Sequence, residues 1–176
     1  MRRRLVVVTA AITLSCGLAT FAGVIVLPVS AATPGSFTLT AGALSISAPT
    51  LGVSLGSQVA LTTASSMSGS LGTVTVSDQR GGTTTWTASV ISTVFTPTAG
   101  PADPASNVSY SAGPIVNSGP VVTTAVPATD LTGVVTVVTG ASTGISTATW
   151  APTVSIVVPV NFAPGTYTAT ITSSVA

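Results

Sequence analysis

The sequence predicts an all-β protein: an antiparallel β-sandwich, Ig-like in style, preceded by an N-terminal signal helix. Three observations carry this. Apolar and hydroxyl residues alternate with period two in run after run. Gly and Pro punctuate the runs at short intervals. After Ala32 no helical stripe of useful length appears.

The first element is the export segment. Arg2, Arg3 and Arg4 form a positive start, residues 5–27 are almost continuously apolar, and Pro28-Val29-Ser30-Ala31-Ala32 closes the run with small residues. That order is a secretory signal peptide over 1–32, cut after Ala31 or Ala32. The alternative is an uncleaved anchor, since the run is long enough to span a bilayer. Cys16, the only cysteine, falls inside this run as apolar filler, so the mature chain has no disulfide and folds on its core alone.

Residues 33–176 read as a single domain. Ser36-Phe37-Thr38-Leu39-Thr40 alternates, as do 43–47, 72–78, 85–92, 121–126, 133–138, 147–150, 153–158 and 166–172. Val, Ile, Leu, Trp or Tyr mark one face of each run and Thr or Ser the other, the pattern of a half-buried strand. Residues 99–120, rich in Pro, Gly and Ser, read as a long excursion from the sandwich.

Composition narrows the function. The chain of 176 residues is 45% hydrophobic and 4% charged, and has no His; Lys and Glu are also absent. Ordinary soluble domains carry about 25% charged residues. Three of the four arginines lie in the first four residues, which excludes a basic phosphate-gripping surface and hence nucleic acid as partner. Without His or paired Cys there is no zinc site. Acid–base catalysis has only Asp78, Asp103 and Asp130 to draw on. Gly52-Val53-Ser54-Leu55-Gly56 matches G-x-S-x-G, but that serine needs a His that the chain lacks. Asp103 and Asp130 read as turn-capping residues. No catalytic, cofactor or metal site is therefore expected, and the protein reads as a non-enzyme.

Asp78 and Arg80 stand two apart, before Gly81-Gly82, and Arg80 is the only base after the signal. Two apart on a strand puts them on one face, either as an ion pair pinning a turn or as a ligand-facing pair. Trp86 and Trp150 sit inside alternating runs, as core residues or as exposed platforms for a sugar. Asn107-Val108-Ser109 is a glycosylation sequon, discounted beside a bacterial-style signal.

Residues 44–49 (Leu-Ser-Ile-Ser-Ala-Pro), 71–81 (Leu-Gly-Thr-Val-Thr-Val-Ser-Asp-Gln-Arg-Gly) and Trp86-Thr87-Ala88 together resemble the first half of a WxL-type cell-wall-binding domain. Trp150 to Val158 and Pro164-Gly165-Thr166-Tyr167-Thr168-Ala169-Thr170-Ile171 resemble its closing strands. Ala88 stands where the first W-x-L has Leu. Ser173 and Val175 stand where the second has Trp and Leu. The chain thus resembles a divergent member, of the kind found in secreted actinobacterial proteins. The resemblance implies a secreted protein held non-covalently on the peptidoglycan of a Gram-positive envelope. Trp86, Asp78 and Arg80 are the candidate ligand-binding residues, because an aromatic among neutral hydroxyls suits a sugar polymer. The alternative is an assembly subunit that pairs with like chains, or binds other surface proteins, through uncharged strand edges. Membrane contact is expected only through an uncleaved signal segment.

Overall fold

The computed structural model describes residues 34–160 and 162–176. The signal segment, its cleavage site and Cys16 lie outside the described residues. Leu39–Ala176 forms one compact unit. Residues 34–38, the described end of the preceding unit, are exposed and without regular structure.

The fold is all-β, with antiparallel pairing throughout. Its strands are β1 (Leu44–Ser47), β2 (Ser65–Ser70), β3 (Val74–Asp78), β4 (Thr84–Ser92), β5 (Thr96–Pro97), β6 (Val108–Ser111) and β7 (Ile115–Ser118), then β8 (Val121–Ala125), β9 (Val135–Ser142), β10 (Ser146–Trp150), β11 (Thr153–Val158), β12 (Tyr167–Thr168) and β13 (Ile171–Val175). A 3-10 turn at Ala105–Asn107 precedes β6. Among the described residues no helix is long and apolar enough to cross a membrane.

The front layer has strand order β1-β3-β10-β7 and continues into a second ladder, β2-β11-β6. Three chain segments run through both: β2 into β3, β6 into β7, and β10 into β11. In the central segment two residues, Ala151 and Pro152, separate the pairs Trp150↔Val74 and Thr153↔Ser70. Opposite them stand three, Leu71, Gly72 and Thr73. On the other flank, between Trp150↔Ile115 and Thr153↔Ser111, stand Ala112, Gly113 and Pro114. Each flank therefore holds one extra residue at the same level, a bulge that bends the strand. Gly72 (φ 86°) and Gly113 (φ 69°) supply the left-handed backbone these bulges need. Leu71 N–H donates to Pro152 C=O at 2.9 Å across the bend, so the ladder is not broken.

The back layer has the order β13-β4-β9-β8. Its β4–β9 register shifts between Ala88↔Val138 and Ser89↔Thr136, leaving Val137 as an extra residue. That shift lets adjacent Val137 and Val138 both face inward and become buried. The core packs Val74, Val76, Ala148, Trp150, Val154 and Ile156 from the front against Trp86, Ala88, Val90, Val137 and Val138 from the back. Trp150 Nε1–H donates to the Tyr110 hydroxyl at 2.9 Å, which satisfies both buried polar groups.

Most expected strands are present; three expectations are corrected. Residues 36–40 form no strand, although they alternate, and Phe37 is 93% exposed. Residues 99–120 are not an excursion, because β6 and β7 lie there and complete the front layer. The run 166–172 divides into β12 and β13, where Thr170 turns to Thr93: Thr93 N–H donates to Thr170 C=O, and Thr170 N–H to Thr93 Oγ1. The sequence reading also passed over β2, whose Ser-Ser-Met-Ser-Gly-Ser carries one large apolar side chain.

Candidate functional site

The β3–β4 and β9–β10 connections both cross between layers at one end of the sandwich. Asp78 is paired with Ser146 in the front layer, and Thr84 with Ser142 in the back. Two side-chain bonds tie the layers there. Thr84 Oγ1 donates to Asp78 Oδ2 at 2.8 Å, and the Ser142 and Ser146 hydroxyls bond at 2.8 Å. Asp78, Ser142 and Ser146 are all buried.

Arg80 completes the cluster. Its Nε donates to Asp78 Oδ1 and its Nη2 to Oδ2, both at 2.9 Å. Its backbone N–H reaches Oδ1 at 3.1 Å, and Nη2 also donates to Thr85 C=O at 2.8 Å. The turn is possible because Gly81 and Gly82 both take positive φ, 70° and 68°. The bound guanidinium holds the Asp78 carboxyl well below the usual carboxylate range, against the opposing pull of burial and with help from Thr84. In return Asp78 pushes Arg80 up. The pair is thus charged at neutral pH and internally satisfied, in keeping with a pinned crossing.

Trp86 does not stand beside this pair as an open platform. It is 3% exposed, and its indole lies over Gly140, its register partner on β9. Asp78 is 1% exposed, so of the three candidate residues Arg80 alone reaches solvent, at 30%. Arg80 lines a shallow groove of about 300 Å³ with Leu39, Thr40, Gln79 and Ile145. Trp150 is buried too.

Asp103, Asp130 and Ser54 are each engaged by a local partner. Asp103 is buried and accepts from Asn107 Nδ2 at 2.6 Å; burial pushes its carboxyl up, partly countered by that bond. Exposed Asp130 closes a turn on Thr132, whose N–H and hydroxyl both donate to Oδ1, and these bonds lower its pKa. Ser54 Oγ accepts from Gly56 N–H within its own turn. No group of three His, Cys, Asp or Glu side chains converges among the described residues.

The outer face of the front layer carries a feature that emerges only from the register. Ser45, Ser77, Thr147 and Ser118 are direct cross-strand neighbours in one row, and Ser47, Thr75 and Thr149 form the next. Beyond the bend, Ser70, Thr153 and Ser111 form a third row, and Ser68, Ser155 and Ser109 a fourth. Rows lie about 7 Å apart along the strands, and strands about 4.8 Å apart. The Thr75 and Thr149 hydroxyls bond across one row at 3.2 Å. The face bears no charge. Each hydroxyl can both donate and accept.

Comparison with protein-family models, with curated proteins and with solved structures returned no significant match.

Proposed function

We propose that the protein is a secreted, non-enzymatic surface protein that associates non-covalently with the bacterial cell wall, as its resemblance to WxL-type wall-binding domains implies. One observation supports this reading above the others: the charge-free hydroxyl rows on the outer front face. Glycan strands present repeated hydroxyl and amide groups, and repeated weak hydrogen bonds along a polymer add through effective concentration. In this reading the ligand contacts shift from Trp86 and Asp78, which are buried, to the hydroxyl rows, while Arg80 stays bound to Asp78 at the layer crossing.

The test is co-sedimentation of the exported protein with bare peptidoglycan sacculi. Wild type is expected in the pellet. Thr75→Val combined with Thr149→Val keeps shape and strand preference but removes two hydroxyls, and should weaken binding about tenfold at ~1 kcal/mol or less per bond. Wild type remaining in the supernatant would refute wall association.

A further inference from the structure

Of the three aspartates, only Asp103 stands before a proline. The Asp103–Pro104 bond joins the end of the β5 segment to the 3-10 turn that opens β6. Asp103 is 2% exposed and is bridged to Phe95. Phe95 N–H donates to Asp103 C=O at 2.8 Å, and Asp103 N–H to Phe95 C=O at 2.9 Å. On the side chain, Oδ1 accepts from Asn107 Nδ2 at 2.6 Å. Pro104 is exposed, so the far side of this peptide bond meets water while the acid beside it is buried.

These groups are what hydrolysis of a peptide bond by its own side chain needs. The carboxyl is tethered to the carbonyl it would attack, which replaces a bimolecular encounter. The leaving nitrogen carries no hydrogen and departs as a secondary amine. Phe95 N–H already donates to the oxygen on which negative charge develops during the attack. Burial, only partly countered by Asn107, keeps the Asp103 carboxyl protonated to higher pH than an exposed aspartate, so the proton that the leaving nitrogen takes up is at hand in mild acid. No charged partner opposes this. Among the described residues Arg80 is bound to Asp78, Asp130 is closed on Thr132, and the Tyr110 and Tyr167 hydroxyls are engaged by Trp150 and Ala163.

We propose that the Asp103–Pro104 bond is a self-cleavage site, at which the folded chain hydrolyses its own backbone in mild acid with water as the sole co-reactant. Oδ2, the carboxyl oxygen not held by Asn107, attacks the Asp103 carbonyl carbon, and the carboxyl proton passes to the Pro104 nitrogen. The C–N bond breaks, leaving a cyclic anhydride on Asp103 and a secondary amine on Pro104. Water then opens the anhydride, restoring the side-chain carboxyl beside a new terminal one. One water is consumed and nothing is oxidised or reduced. Strands from the two sides of the cut alternate in the layers: β3 pairs with β10, β2 with β11, and β4 lies between β13 and β9. The nicked halves therefore stay together. This is a single turnover on the chain itself, and wall binding is not required for it.

The experiment is a time course of the exported protein in mildly acidic buffer, read by intact mass. Circular dichroism first shows that wild type, Asp103→Asn and Pro104→Ala are folded there. Wild type is expected to yield two fragments, one ending at Asp103 and one beginning at Pro104, which elute as one particle in native buffer and part in urea. The folded chain should be cut at least about tenfold faster than the same chain unfolded in urea at the same pH, because only the fold supplies the Phe95 donor. Its rate should also begin to rise at a higher pH than in the unfolded chain. Asp103→Asn and Pro104→Ala should each be cut at least about tenfold more slowly than wild type. A folded wild type that stays whole, one cut no faster than the unfolded chain, or variants cut as fast as wild type would overturn the proposal. The pelleting assay with sacculi reads wall association separately and is unaffected by either result.

Discussion

Replacing Gly140 with Ala probes the centre of the back layer. A Cβ at position 140 would overlap Cε2 and Cζ2 of Trp86 and stand 2.6 Å from its Nε1. Carbon contacts settle near 3.5–4 Å, so the indole would have to move by about 1.5 Å. It is 3% exposed and packed in the core. Such overpacking costs about 1–3 kcal/mol, offset by up to ~1 kcal/mol from the stiffer unfolded chain. The expected net loss is about 2 kcal/mol, or roughly 4–8 °C in Tm for a domain of this size. Thermal and urea unfolding followed by circular dichroism measure it. Gly133→Ala is the control: nothing lies within 4 Å of its would-be Cβ, and its Tm should hardly move. Trp86→Leu would open space for the new methyl, so Gly140→Ala should cost at least about 1 kcal/mol less in that background. A Gly140→Ala protein as stable as wild type, or strictly additive costs, would refute the contact.

Two further predictions concern buried polar groups. Tyr110→Phe strips the acceptor from Trp150 Nε1 and should lower unfolding free energy by about 2 kcal/mol, the usual cost of an orphaned buried donor; urea titration reads it. Asp78 and Asp103 should give pH dependences of opposite sign. Asp78 has a folded-state pKa below its unfolded value of 3.8, so its stabilisation is complete above that value and fades as pH falls below it. Asp103 has a folded-state pKa above 3.8, so its ionisation opposes folding at neutral pH and ceases to do so under acid. Asp78→Asn should therefore destabilise at pH 7 and much less at pH 2, whereas Asp103→Asn should stabilise at pH 7 and change little at pH 2. Tm against pH for the three proteins checks both signs.

The strands legible in the sequence were those whose alternation reflects one buried and one wet face. β4, β10 and β11 carry Trp86, Ala148, Trp150, Val154 and Ile156 inward at every second position, and period two marks them plainly. β2 was illegible because its inner positions are Ser65, Met67 and Gly69; its pairing with β11 creates it, not its composition. The opposite error arose at residues 36–40, where alternation alone cannot supply a partner strand. The Asp78–Arg80 turn was visible from spacing and the paired glycines. Trp86's inward face needed Gly140, fifty-four positions away by residue number, and the hydroxyl rows needed a register that no single strand displays.

The paired bulges at Gly72 and Gly113 bear on how the chain tolerates change. Inward positions are even-numbered along the whole central segment, from Ser146 through Pro152 to Ile156. On both flanks the parity switches at the bulge: Met67 and Gly69 give way to Val74 and Val76, and Val108 and Tyr110 give way to Ile115. Each glycine is thus an inversion point. Deleting one would not merely shorten a turn; it would force one half of that strand to present its serines to the core and its valines to water. Length variation in lineages carrying this fold should accordingly be purged from these two bends, while the loops at 51–61 and 98–102 drift in length freely.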